Sequence, residues 1–229
     1  SQSNDLIVSK MGDTLNSAWA GGINSAQIST MDLNFDQLED VVVFDKSGNK
    51  ILTFINSDDQ YYYDSQYEKF FPKIENWMLL RDYNGDGKKD IFHSVSGGIG
   101  VWKNTSSNNI ISFSQEISPY IHSLQYNFKS NLYVSKNDIP DINDIDMDGD
   151  LDVVTFSILG GNLEYHQNLS IDSGYGSDSL IFELKNACWG HFYEGGLTNT
   201  CYLFDTCLTN VNNPEFPIAN INRQDSTFL

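Results

Sequence analysis

Asp82-Tyr83-Asn84-Gly85-Asp86-Gly87-Lys88-Lys89-Asp90 places an oxygen-bearing side chain at positions 1, 3, 5 and 9 of a nine-residue loop. Alternate residues of a tight loop can point at one centre, and a hard divalent cation takes several oxygens at once. The spacing occurs twice more, in Asp32-Leu33-Asn34-Phe35-Asp36-Gln37-Leu38-Glu39-Asp40 and in Asp144-Ile145-Asp146-Met147-Asp148-Gly149-Asp150-Leu151-Asp152. A β-type run follows each copy: Val41-Val42-Val43-Phe44, Ile91-Phe92-His93-Ser94-Val95 and Val153-Val154-Thr155-Phe156. The repeated unit is a loop with a strand behind it.

The likeness extends outward from the loops. A glycine-containing turn and a second strand ending in Asn come next, closing at Asn56, Asn104 and Asn168. Ahead of the loops, Ala26–Met31 alternates polar and apolar residues, Trp77–Arg81 is apolar, and Ile139–Asn143 is weakened by Pro140. Outer strands are expected at Tyr61–Tyr63, Ile110–Phe113 and Leu180–Leu184, giving four antiparallel strands per unit. The loops begin at 32, 82 and 144, a period proper to blades or solenoid repeats. Residues 120–136 are surplus to it, and residues 4–15 suggest a lead-in strand around Leu6-Ile7-Val8.

On these residues the chain resembles the FG-GAP/VCBS repeat family of calcium-binding β-propeller blades, over roughly residues 27–168. Within that family it is most similar to VCBS-repeat proteins exported by the bacterial type IX secretion system. The phrases carrying this are Trp77 to Gly87 and Val42 to Asn49. The resemblance implies an all-β fold: a partial β-propeller of about three to four antiparallel four-stranded blades with Asp-rich calcium loops. It also implies one incomplete propeller domain over residues 1–229, a piece of a longer protein. Near 194–206, where a fourth loop is due, none appears, so about 185–210 reads as a degenerate repeat or insertion.

The family pattern, carried over, assigns metal ligands. In loop two they are Asp82, Asn84, Asp86, the Lys88 carbonyl and Asp90. In loop three they are Asp144, Asp146, Asp148, the Asp150 carbonyl and Asp152. In loop one they are Asp32, Asn34, Asp36, the Leu38 carbonyl and Asp40. Gly87 and Gly149 occupy position 6, where the turn needs a positive φ; loop one has Gln37 there. Calcium is therefore expected in loops two and three, and weakly or not at all in loop one. An EF-hand needs Glu at position 12 between helices, but position 12 is Val43, His93 or Thr155 and the flanks are strands. The rival reading is a metal-free Asp/Asn turn held by side-chain-to-backbone bonds.

Net charge is −18. Three calcium ions would return six positive charges, leaving −12, so metal should couple to folding. The 13 scattered Lys and Arg argue against nucleic acid. No apolar run approaches the ~20 residues of a membrane span. Ser1-Gln2-Ser3-Asn4 reads as a processed or trimmed start. Cys188, Cys201 and Cys207 suggest one disulfide, from Cys188 to Cys201 or Cys207, and export. His93, His122, His166 and His191 share no catalytic motif, so the expectation is a non-enzymatic scaffold, extracellular or on the outer cell surface. Its partners would be a protein or glycan there, or the secretion machinery. The alternatives are an adhesin, or part of a polysaccharide-active propeller enzyme such as a lyase.

Overall fold

The computed structural model describes residues 9–14, 20–58, 60–195 and 200–203. The described residues are all-β, with one three-residue 3-10 turn at Glu68–Phe70. Strands β1 (Ser9–Lys10) and β2 (Asp13–Thr14) form a small hairpin. The expected lead-in strand is thus broken at Met11 and Gly12, both at positive φ; its apolar centre lies outside the described residues.

The first sheet is the meander β3 (Ala26–Met31), β4 (Asp40–Asp45), β5 (Lys50–Ser57) and β6 (Gln60–Tyr63), all antiparallel. The second repeats it with β7 (Met78–Arg81), β8 (Asp90–Val95), β9 (Gly98–Asn104) and β10 (Phe113–Ile117). Strand β10 begins where the expected outer strand ends. Ile111 is buried in the core and Ile110 sits exposed in a turn bridged to Ser107. Residues 120–136 hold the hairpin β11 (His122–Gln125) and β12 (Phe128–Asn131). Then come β13 (Asp141–Asn143), β14 (Asp152–Phe156), β15 (Leu163–Asn168) and β16 (Phe182–Trp189).

The third unit is not four-stranded. Strand β11 pairs in parallel with the outer strand β16, Ser123 opposite Phe182, so the sheet runs β12-β11-β16-β15-β14-β13. Where a fourth loop was sought, β17 (Phe192–Gly195) and β18 (Thr200–Leu203) form a hairpin. The Tyr193 ring lies over Gly161, where a Cβ would come within 2.3 Å of it.

The second sheet is covered on both faces, which explains its unbroken apolar run before loop two. Met78, Leu80 and Ile91 face the first sheet, with Met31, Leu33, Val42 and Phe44. Trp77, Leu79 and Phe92 face the third, with Ile142 and Val153. On the first sheet's other side, β3 alternates exposed and buried, and Ile28 is 69% exposed. Side chains join the inner strands: Gln27 Oε1 accepts the Met78 N–H at 2.9 Å, Ser29 Oγ the Leu80 N–H at 3.2 Å, and Arg81 Nε donates to the Ile142 carbonyl at 2.9 Å. Edge groups that would otherwise template foreign strands are used up this way.

Candidate metal centre

Each acidic loop links the first strand of a meander to the second, and the three share one hydrogen-bond pattern. The position-1 carboxylate accepts the position-5 and position-6 N–H groups. In loop two, Asp82 takes Asp86 at 3.2 Å and Gly87 at 2.8 Å; in loop one, Asp32 takes Asp36 at 3.1 Å and Gln37 at 2.9 Å; in loop three, Asp144 takes Asp148 and Gly149, both at 3.1 Å. Position 3 caps the position-5 N–H through Asn34, Asn84 or Asp146, and position 5 caps position 7 through Asp36, Asp86 or Asp148. Side-chain acceptors on alternate residues hold the backbone in a tight turn, the arrangement that the metal-free reading describes.

The backbone is left-handed at two positions, not one. Position 6 has φ of +73° at Gln37, +80° at Gly87 and +102° at Gly149. Position 4 is also left-handed: +65° at Phe35, +70° at Gly85 and +66° at Met147. Loop two meets both demands with glycine, loop three one, loop one neither. Each left-handed non-glycine residue costs roughly 1–2 kcal/mol.

Position 9 has a structural task that the sequence did not disclose. Asp40, Asp90 and Asp152 are fully buried. One oxygen of each accepts the position-2 N–H: Leu33 at 2.8 Å, Tyr83 at 3.2 Å, Ile145 at 3.0 Å. The other accepts the N–H of the Asn that ends the next strand: Asn56 at 2.8 Å, Asn104 at 2.7 Å, Asn168 at 2.9 Å. The carboxylate pins the loop to the strand behind it. Burial pushes Asp90 up to about 6, against the pull of those two N–H bonds, and raises Asp40 and Asp152 for the same reason.

Loop three is the most acidic. Ligand oxygens of Asp144, Asp146 and Asp152 all lie within 4.8 Å of one another, a group that could hold a metal ion. Asp146 stands where the other loops have Asn. Two buried carboxylate oxygens here, Asp148 Oδ2 and Asp150 Oδ1, have no hydrogen-bond partner. Burial and then the neighbouring carboxylates raise Asp148; burial foremost raises Asp150, whose other oxygen accepts from Ser170 Oγ at 3.0 Å and the Ile171 N–H at 3.1 Å. Buried carboxylate oxygens without a partner are costly unless they are protonated or met by a cation. The Gly/Ser-rich segment 172–177 crosses to loop two, where Ser177 Oγ donates to the Asn84 carbonyl at 3.4 Å.

The histidines divide. His122 and His191 are exposed. His166 is fully buried: its Nδ1 is 2.8 Å from Ser123 Oγ and its Nε2 3.5 Å from Glu164. Those residue types suit nucleophilic catalysis, but Ser123 is buried too. The contact ties β11 to β15. Cys188 is disulfide-bonded and Cys201 is a free, exposed thiol, so the two do not pair; Cys207 lies outside the described residues. No helix among the described residues is long and apolar enough to cross a membrane.

Compared with protein-family models, characterised proteins and solved structures, the chain matches none.

Proposed function

We propose that this chain is a calcium-stabilised β-propeller segment of an exported, VCBS-like protein, working as a non-enzymatic binding scaffold at the cell surface. The observation that carries the reading is the threefold recurrence of one loop conformation, at Asp32–Asp40, Asp82–Asp90 and Asp144–Asp152, each anchored by a buried position-9 carboxylate. Each meander of four antiparallel strands is a blade, and the inner strands β3, β7 and β13 are bridged in series by side chains. The ligands are those assigned from the spacing, and calcium would neutralise carboxylates that otherwise repel one another. Its role is structural: it holds the corner between the first two strands of a blade. Loop three is the strongest site, loop two next, and loop one the weakest.

The test is calcium titration of the metal-free protein by calorimetry, with native mass spectrometry for stoichiometry. Two tight sites, weakened by Asp86→Ala and Asp148→Ala respectively, are expected. A protein that binds no calcium at millimolar concentration ends this reading.

A further inference from the structure

A second polar feature lies at the opposite ends of the strands. The metal loops join the end of β7 to the start of β8, whereas a cleft of about 780 Å³ opens beside the start of β7 and the end of β8. The segment 133–137, which leads into the third blade, forms its other wall. The first blade closes in as well: Lys46 Nζ donates to the Asn137 carbonyl at 2.6 Å, and Asn49 Oδ1 accepts the Asn76 N–H at 2.8 Å. Three blades therefore converge on the cleft.

Its lining mixes hydroxyls, amides, the apolar Val95 and Val134, the Tyr133 and His93 rings and two ammonium groups. Ser96, Ser135 and Asn137 supply the first kinds, Tyr133 is half-buried, and Lys73 and Lys136 are exposed at the rim. The one acid among the lining residues is Glu75, 3.6 Å from Lys73. Two ammonium groups thus stand against one carboxylate in the lining, on a molecule whose net charge is −18. Such a local reversal of sign attracts anions where the rest of the surface repels them.

His93 belongs to the same lining and is 8% exposed. Its Nδ1 lies 3.1 Å from the Ser94 carbonyl, which assigns the proton to that nitrogen. Nε2 is left a buried acceptor without a donor. Glycine opposite makes room for the ring, since a Cβ at Gly100 would come within 2.6 Å of Nε2. Burial holds the imidazole pKa below its ordinary value, so the ring is neutral near pH 7.

We propose that this cleft binds a carboxylated saccharide. Tyr133 would stack on the sugar face, Ser96, Ser135 and Asn137 would exchange hydrogen bonds with its hydroxyls, and Lys136 would take its carboxylate. The inference rests on the scaffold reading only in requiring folded blades, because the cleft shares no residue with the metal loops.

The test uses the full 229-residue chain with calcium present, on an array carrying sialylated and glucuronate-containing glycans beside their neutral parents, followed by calorimetry with sialyllactose, lactose and a glucuronyl disaccharide. Binding to an acidic glycan is expected, at least about tenfold tighter than to its neutral parent, a gap in the range of one well-placed charged contact. Tyr133→Ala and Lys136→Glu should each weaken it at least about tenfold. Asp86→Ala should leave it intact at saturating calcium. No acidic-glycan binding up to millimolar concentration, preference for neutral glycans, or indifference to both Tyr133→Ala and Lys136→Glu would each overturn the proposal. Loss of calcium binding, by contrast, would overturn the metal reading alone.

Discussion

Loops one and two fold to the same hydrogen-bonded shape from different residues. Loop two places glycine at both left-handed positions, Gly85 and Gly87; loop one holds the same angles with Phe35 and Gln37. What they share is the acceptor series Asp, Asn, Asp, Asp at positions 1, 3, 5 and 9. The acceptors therefore set the conformation, and glycine only lowers its cost. Phe35 recovers part of that cost by packing against the core between the first two sheets. Gln37 is exposed and recovers none that the structure shows.

The comparison is broken most directly by removing metal. If loops two and three are filled at about 100 times their Kd, calcium contributes about 5 kcal/mol, or roughly 10–20 °C in Tm for a domain of this size. Melting in excess EDTA checks this, and an unchanged Tm would mean that the loops stand on their hydrogen bonds alone. Next in size is Asp90→Ala, which strands two buried N–H groups, those of Tyr83 and Asn104, and should cost about 3–5 kcal/mol even without calcium. Asp82→Ala should cost most of its share in calcium only, because its N–H partners reach water; denaturant melts in both conditions separate the two variants, and equal behaviour would dissolve the distinction between position 9 and position 1.

Smaller effects sharpen the contrast between the loops. Gln37→Gly should stabilise the protein by about 1 kcal/mol and tighten calcium at loop one roughly fivefold, while Gly87→Gln does the reverse at loop two; calorimetric titration of both variants measures it. Smallest is Met147→Gly, expected to give about 0.5–1 kcal/mol. Met147 is 88% exposed at φ +66°, so no packing is lost. A destabilised variant in urea melts would show that position 4 is not strained.

The loops and the strands flanking them were legible because their signal is local: a fixed spacing of acidic residues followed by a β-branched run. The second left-handed position was half visible, in Gly85, and hidden elsewhere by Phe35 and Met147. The recurring Asn at 56, 104 and 168 could be read as part of the repeat, but not its task, since its partner carboxylate lies 14 or 16 residues back across a strand pair. The apolar Ile110-Ile111 resembled strand yet supplies a core plug and a turn, and the strand itself is the more polar Phe113–Ile117, lying on an edge where one face meets water. The surplus length at 120–136 was plain in the period. Its docking on β16 was not, because a parallel pairing leaves no short-range mark. The polar cleft draws on segments 73–76, 93–97 and 133–137, which only the fold brings together.

The parallel pairing of β11 with β16 has a consequence for the order of folding. Ser123 must wait for Phe182, 59 residues later (182 − 123), before it and the His166 contact can be buried. At about 5–20 residues per second of synthesis, that wait is roughly 3–12 s. Through it the hairpin carries an uncovered β11 edge, while the first two meanders can already be complete. The last strand of the third unit thus closes that edge, and a chain interrupted before Phe182 would keep it open.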